Sequence, residues 1–508
     1  MRSGGKNKRT VSAAQVASLL GRDLMEKLAE IGSRMRGPLF LTGGTVRDLL
    51  IGRVPVDIDL TVPRSAQRWA AALAAMTGGA YVPLGRDEDA ARVVWEGRDI
   101  DFSSFREGAE SIEEELRKRD LTVNSMAVSI GELLGKGRGA DSAGLKIIDP
   151  AGGLGDLERK IIRVTSPRSF QCDPLRLLRV FRFAATLDFA VDRKTFDLVV
   201  RRKEWITRPA AERVAYEFDQ IMRSDRAYQA VAALARSGML FSIIPELRDG
   251  VGMQQPASHH LDVFEHCLAT LQCMVKVQQE PSRYFPRYPE VLEGYIGTGR
   301  HRVQLRWAAL LHDIGKPSTM TIDEDRGGRI TFYNHDRTGA ELVENVARRL
   351  KWSGSDTRKV AGLVALHMRP FHLGNVRRKE ELSLKACLRL VRLAGPDLPG
   401  LFLLGMADAM AGQGEGRPEA VEEEVAFLFA RMEEVYREHV APVYAGPPLL
   451  TGRHLIDELH LVPGPVFRKI LDAVEEAHME GRVTSQQEAL DFARAFLGSR
   501  AEAGDQRR

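Results

Sequence analysis

The chain has 508 residues, 44% of them apolar and 28% charged, and its 73 Lys+Arg exceed its 69 Asp+Glu by a formal charge of +4. This composition is that of a globular protein, and at roughly 150 residues per domain the length points to about three or four domains. The four cysteines, Cys172, Cys267, Cys273 and Cys387, form no paired CxxC set, and no apolar run approaches the roughly 18 residues of a membrane span; a disulfide scaffold, a low-complexity chain and a membrane protein are excluded, and a cytoplasmic protein whose mild positive charge permits a nucleic-acid partner is expected.

Residues 1–25 open with MRSGGKNKRT, basic and without a following apolar stretch, and read as an N-terminal extension rather than a secretory signal. From 26 to 165 short apolar runs alternate with helical patterns, an α+β block. Strands are expected over 37–42 and 56–62, helices over 46–51 and 66–76, and further strands over 92–95 and 99–105. From 169 onward strand signals nearly vanish, and apolar residues recur at i, i+3, i+4 through 175–183, 195–200 and later segments. Residues 281–300, rich in Pro, Tyr and Gly, read as an irregular insertion, and 441–448 as a linker before a last helical piece.

One group of residues carries phosphate chemistry. Gly43 and Gly44 stand between a predicted strand and a predicted helix, where missing side chains let backbone N–H groups approach phosphate oxygens. Asp57 and Asp59 lie two apart on a predicted strand, so both carboxylates point to one face. Paired carboxylates suit Mg²⁺, which binds through a few carboxylates plus substrate phosphates, and two such ions activate a 3′-hydroxyl and steady a departing pyrophosphate. Asp101, on the strand after Trp95, is a candidate third carboxylate.

With this GGTVRD…DID series the chain resembles the class II tRNA nucleotidyltransferase and poly(A) polymerase family. Further motifs follow in order: Arg119-Asp120-Leu-Thr-Val-Asn124 with Lys118 before it, Asp149 to Asp156, Cys172-Asp173-Pro-Leu-Arg176 continued by Arg179 to Phe183, and Ala211-Glu212-Arg213 to Glu217. The resemblance implies a nucleotidyltransferase head over 26–165 with a polymerase-β-like sheet, a helical neck over 166–250, Mg²⁺ on Asp57 and Asp59, and tRNA, CTP and ATP as substrates. It implies that Arg47, Arg119, Asp120 and Asn124 bind the nucleotide, with Arg119 and Asp120 at its sugar or phosphates. Asp173 and Arg176, at i, i+3, share a face if they lie on a helix and offer an acceptor beside a fork of donors. Cytosine and adenine carry an exocyclic amine beside a ring-nitrogen acceptor, whereas uracil and guanine present a carbonyl that a carboxylate repels, so the pair selects C and A without a template. Cys172 stands where the family carries a glutamate. Arg176, Arg179 and Arg182 form a stripe at spacing three, and Arg201-Arg202-Lys203 a further cluster, toward triphosphate and RNA backbone.

Only residues 106–118 separate Phe105 from Arg119. Family members that add both C and A carry a longer flexible loop here, so this chain resembles enzymes that add CC only.

A second group is His266, His312-Asp313, His335, His367 and Asp408, each in an apolar, helical context. Imidazole and carboxylate together suit a transition metal or Mg²⁺, and the order resembles the HD metal-dependent phosphohydrolases. The resemblance implies an HD domain over 251–415 acting on phosphate esters or 2′,3′-cyclic phosphates, and a helical, RNA-binding body and tail over 416–508. His259, His260 and His372 have no partners in the sequence and read as structural or exposed. Four rival readings share parts of this pattern: a full CCA-adding enzyme, a poly(A) polymerase, a regulatory protein uridylyltransferase, and a stand-alone HD phosphohydrolase with a degenerate head.

Overall fold

A computed structural model describes residues 10–85, 89–135 and 144–505, and the chain divides into two compact units, Met1–Ile243 and Ile244–Arg508. The first unit opens with helix α1 (Ala13–Met35), which starts inside the expected extension. Ser12 and Gln15 form a reciprocal capping box at its start, and Val16, Leu20, Leu24, Leu28 and Ile31 line its buried face. Gly21, at φ 72° and ψ 160°, departs from helical geometry inside this run, while the buried positions keep a spacing of three or four across it.

The head is a seven-stranded mixed sheet. Its strands are β1 (Phe40–Thr42), β2 (Asp57–Val62), β3 (Ala80–Pro83), β4 (Ala90–Trp95), β5 (Arg98–Ser104), β6 (Ala127–Ser129) and β7 (Ile147–Ile148), in the order β3-β4-β5-β2-β1-β6-β7. Among these β2 and β5 run parallel, with Asp57 opposite Asp99 and Asp59 opposite Asp101. Ile58, Leu60, Ile100 and Phe102 alternate with these aspartates and are buried, so the period-two pattern sends the carboxylates to the other face. Helices α2 (Gly43–Leu50) and α3 (Ala66–Thr77) follow β1 and β2, and α4 (Ile112–Arg117) lies within the short segment before Arg119.

The neck holds α5 (Arg176–Leu187), α6 (Arg193–Arg202) and α7 (Ala211–Arg223). Asp173 does not lie on a helix with Arg176, as the i, i+3 reading supposed. It sits extended at φ −146°, ψ 102° before the helix, because Pro174 disfavours the helical conformation in the residue preceding it.

The second unit is mostly helical. Helices α8 (Val263–Gln279), α9 (His301–Leu311), α10 (His335–Arg349), α11 (Gly354–Leu366) and α12 (Leu398–Ala411) carry or flank every residue of the histidine series. The stretch Leu384–Ala411 reaches a mean hydropathy of 1.3 in an 18-residue window, yet 67% of that window is buried inside the protein. It is a core element rather than an exposed apolar run. Residues 281–300 are not irregular: Pro281–Tyr284 and Pro289–Gly297 are helical, each with proline in its first turn, where the missing N–H is tolerated. The expected linker likewise contains a helical turn, Ala441–Ala445. Beyond it Leu450, Leu455, Ile470, Val474 and Ala489 form a separate small core.

Candidate functional site

In the head, ligand oxygens of Asp57, Asp59 and Asp101 lie within 4.8 Å of one another, and all three residues are half-buried. Like charges at this spacing repel, and burial removes the water that would screen them. Burial, with Asp57 beside it, pushes the Asp59 carboxyl up to about 6. Asp57 is also raised, by burial and then by Asp101. Asp101 is engaged by Arg92 of β4, whose Nε and Nη2 donate to its two carboxylate oxygens at 2.7 and 2.8 Å. Arg92 is a residue that the sequence did not reveal, because its position opposite Asp101 depends on the β4–β5 register.

The glycine turn closes over the same place. Gly43 has φ 64°, and a Cβ there would lie 2.8 Å from Arg119 Nη1 and 3.1 Å from Asp59 Oδ2. Glycine is therefore demanded twice, by backbone conformation and by close approach. The Gly43 N–H donates to the Met126 carbonyl, so that amide is committed within the fold. The Thr45 hydroxyl accepts from the Asp59 N–H at 2.7 Å and so ties α2 to β2.

Arg119 and Asp120 are buried, at 8% and 7% exposure, and bonded within the protein. Arg119 Nη2 donates to the Thr42 and Thr61 hydroxyls. Asp120 accepts from Arg179 Nε at 2.8 Å and from the Asn124 amide at 3.3 Å. Burial alone would raise the Asp120 carboxyl, but Arg179 and Arg176 hold it well below the usual range. Arg47 donates to Asn124 Oδ1 at 2.6 Å and to Asp48. Arg179 and Arg182 both pair with Glu217, and the guanidinium carbons of Arg47, Arg179 and Arg182 lie 5.3, 5.2 and 4.0 Å from the Phe183 ring centroid. The head motif and the neck motif are thus one bonded network.

Asp173 and Arg176 do not bond to each other through their side chains. Asp173 Oδ2 accepts from Arg213 at 2.8 Å, and Arg176 Nη1 donates to the Lys118 carbonyl and the Ser169 hydroxyl at 3.0 and 2.9 Å. Arg213, inside the last quoted motif, had no role in the sequence reading. Among the cysteines Cys172 is exposed, the other three are buried, and all are free thiols.

The second unit gathers the histidine series into two abutting triads, His266–His312–Asp408 and Asp313–His335–His367, each with ligand atoms within 4.8 Å. All six residues are buried. Nδ1 of His312, His335 and His367 each faces the backbone carbonyl three residues upstream, of Ala309, Phe332 and Val364. Those bonds place the proton on Nδ1 and leave Nε2 as a lone pair directed inward. His335 and His367 then set two such nitrogens 3.2 Å apart, an arrangement that a cation between them relieves. Asp313 lies between the triads, Oδ2 being 3.2 Å from His312 and Oδ1 3.4 Å from His335. The donor set fits one or two divalent ions, with nitrogen ligands characteristic of a transition metal. Lys316 Nζ lies 2.6 Å from Asp313 Oδ2 and donates to Gln255. Gly315 allows the close packing beneath: a Cβ there would lie 2.2 Å from the His335 carbonyl oxygen. His259, expected to be structural or exposed, is half-buried with its ring 4.6 Å from that of His266; nothing in the local pattern revealed this, since the two residues meet only through the turn that precedes α8.

A mixed sheet bearing an acidic triad beside a glycine turn, joined in one chain to a buried His/Asp cluster, defines an enzyme of the nucleotidyltransferase type with an HD domain. Residues 39–163 match the poly(A) polymerase head domain, 188–250 the probable RNA and SrmB-binding site of polymerase A, and 263–394 the HD domain. An A-adding tRNA nucleotidyltransferase of Deinococcus radiodurans is 35% identical, over 89% of this chain and 94% of its own length. A CC-adding tRNA nucleotidyltransferase of Thermus thermophilus is 32% identical, over 91% and 94%. A CCA-adding enzyme solved with CTP shares the fold, with a TM-score of 0.62 at 18% identity, over 96% of this chain and 99% of its own. The chain belongs to the tRNA nucleotidyltransferase and poly(A) polymerase family.

Proposed function

We propose that this chain extends the 3′ end of tRNA, adding CMP from CTP, and that it adds the CC dinucleotide rather than the whole CCA. The RNA 3′-hydroxyl oxygen attacks the α-phosphorus, its proton goes to solvent, and the bridging oxygen leaves with pyrophosphate. Asp57, Asp59 and Asp101 would hold Mg²⁺, which supplies charge neutralisation at the attacking and leaving oxygens. Gly43 and Gly44 keep side chains out of that space. Arg119 and Asp120 act from below, fixing the glycine turn and the neck arginines. Asp173 and Arg176 accept an amine and donate to a ring nitrogen, which suits cytosine and adenine.

The observation carrying the CC reading is the state of segment 106–118. Glu115, fully buried, accepts the Arg106 N–H at 2.7 Å, and Lys118 Nζ donates to the Glu107 carbonyl at 2.8 Å. A segment this short and tied at both ends has no length with which to reset a base pocket from C to A. The name of the Deinococcus relative favours a second reading, addition of the terminal A alone. Purified protein given tRNA lacking CCA, or tRNA ending in CC, with CTP, ATP or both, separates them: CC ends with no A support the first reading, and AMP on the CC-ended tRNA supports the second.

For the second unit we propose hydrolysis of phosphate esters or 2′,3′-cyclic phosphates by a metal held on His266, His312, Asp313, His335, His367 and Asp408. The metal would supply an activated water, and Lys316 stands beside the cluster as a cation for the phosphate. Turnover of 2′,3′-cyclic AMP with added Ni²⁺ or Mn²⁺ supports this; absence of turnover with any metal identifies a structural domain.

A further inference from the structure

Lys316 is a buried cation pressed against a cluster built to hold cations. It is 6% exposed, and its Nζ lies 2.6 Å from Asp313 Oδ2. The same oxygen lies 3.2 Å from His312 Nε2 and 3.7 Å from His266 Nε2, so it faces the inside of the cluster. An ammonium and a divalent ion on one carboxylate oxygen repel each other strongly where water is excluded. The contact is an ion pair without hydrogen-bond alignment: Asp313 Oδ2 is buried and receives no hydrogen bond. The aligned bond of the ammonium runs instead to Gln255 Oε1, at 2.6 Å. The other end of that amide, Nε2, donates to the Leu261 carbonyl at 3.2 Å. This fixes the oxygen toward the lysine, because only the nitrogen of an amide can donate to a carbonyl. The Phe332 ring, its centroid 5.5 Å from Nζ, adds a second uncharged contact.

Gln255 is held in a fixed frame. Its loop, 253–262, is closed by the Val263 N–H on the Met253 carbonyl, and the Gly414 and Gly416 N–H groups donate to the carbonyls of Ser258 and Ala257. Asp262 accepts from the Gly252 N–H at 2.7 Å. A Cβ on Gly414 would lie 2.3 Å from the Ala257 carbonyl oxygen, so the loop packs there backbone on backbone.

We propose that Gln255 is a positioning residue of the second-unit site. It gives Lys316 an uncharged acceptor, so that the Asp313 carboxylate stays open to a divalent ion while the ammonium stays beside the cluster for the substrate phosphate. This inference rests on the proposed metal-dependent hydrolysis and deepens it. An apolar side chain at 255 would leave the ammonium only Asp313 to bond to, and the metal site would close. A carboxylate at 255 would draw the ammonium away but neutralise it, and phosphate would lose its cation.

The test reads the Ni²⁺ affinity of the full chain by titration calorimetry, in an Asp57→Ala, Asp59→Ala background that removes two carboxylates of the head. Gln255→Leu is expected to weaken binding about tenfold, or ~1.4 kcal/mol, because Lys316 turns fully onto Asp313. Gln255→Glu is expected to strengthen it, a direction that a poorly folded variant does not produce, and to weaken inhibition of hydrolysis by inorganic phosphate. Lys316→Met is expected to strengthen ion binding as well, and in that background Gln255→Leu is expected to change nothing. Unchanged affinity in Gln255→Leu overturns the proposal. So does an equal weakening with and without the lysine, because the glutamine would then act through its loop. A chain whose second unit binds no Ni²⁺ in any variant overturns the metal reading itself, and the two failures are told apart by that control.

Discussion

The acidic triad of the head and the His/Asp cluster of the second unit are both built for divalent ions, and they are built differently. The head offers half-buried carboxylates on one sheet face, with Arg92 already bonded to one of them. The second unit offers four histidines and two aspartates, all buried, with three imidazole tautomers set by backbone carbonyls. Oxygen ligands alone suit a hard ion that arrives and departs with a triphosphate, whereas preset imidazoles suit a resident ion. One chain thus carries two groups of possible metal ligands that differ in ligand type and in exposure.

The sharpest break of this comparison is removal of one acid from each place. Asp57→Ala or Asp59→Ala is expected to lower nucleotide addition by at least about 10³-fold, the scale of losing a group that stabilises transition-state charge, and to leave phosphoester hydrolysis intact. Retained nucleotide addition would instead favour a stand-alone phosphohydrolase. In the second unit Asp313→Ala removes the carboxylate that lies between both triads. Elemental analysis after loading with Mn²⁺ or Ni²⁺ is expected to show bound metal falling from about two ions per chain, the count of a two-metal site, to nearly none. Asp408→Ala is expected to remove about one, since it belongs to a single triad. Equal losses in both variants would mean that one ion fills the cluster.

A smaller effect concerns pH. The Asp59 carboxyl is raised to about 6 by burial and by Asp57, so the folded head holds its proton more tightly than the unfolded chain does, where a carboxyl titrates near ~3.9. Without metal, this group lowers stability as pH rises from that value through about 6, and a bound cation removes the penalty. Mg²⁺ must displace the proton, so its affinity at the head, read by titration calorimetry, is expected to weaken about tenfold per unit below about 6 and to level off above. A flat profile from 5 to 7 would mean that Asp59 is already ionised in the folded protein.

Legibility from sequence followed the range of the interactions. Asp57 and Asp59 were readable because strand alternation is local, and the His/Asp series because the residue types are rare in apolar helices. Asp101 was reachable only as a candidate, since its place depends on the parallel register of β5 on β2. Arg92 and Arg213 carry no local signal: Arg92 meets Asp101 through strand register, and Arg213 meets Asp173, 40 residues away, through packing within the neck. The Asp173–Arg176 geometry failed for a local reason in plain view, the proline between them. Helix α1 was missed because its first turns directly follow the basic opening and read with it as an extension, and residues 281–300 because prolines at helix starts look like loop residues.

The two close-packed glycines sharpen the contrast at the smallest scale. A Cβ on Gly43 would press on Arg119 Nη1 at 2.8 Å, the end of a side chain, whereas a Cβ on Gly315 would press on the His335 carbonyl oxygen at 2.2 Å, which is backbone. A side chain yields and a packed backbone does not. Gly43→Ala also meets the left-handed penalty of about 1–2 kcal/mol, because its φ is 64°. Gly315→Ala has no such penalty, its φ being −82°, but it overpacks the start of α10 at about 1–3 kcal/mol. Hydrogen exchange in each unit is therefore expected to report similar destabilisation for the two variants, while function divides. Gly43→Ala displaces Arg119 from Thr42 and Thr61, so nucleotide addition falls further than the stability change explains. Gly315→Ala shifts His335, one of the proposed metal ligands, so metal retention is expected to fall. If Gly43→Ala instead kept full nucleotide addition at equal destabilisation, Arg119 would be a structural strut with no hold on the site above it.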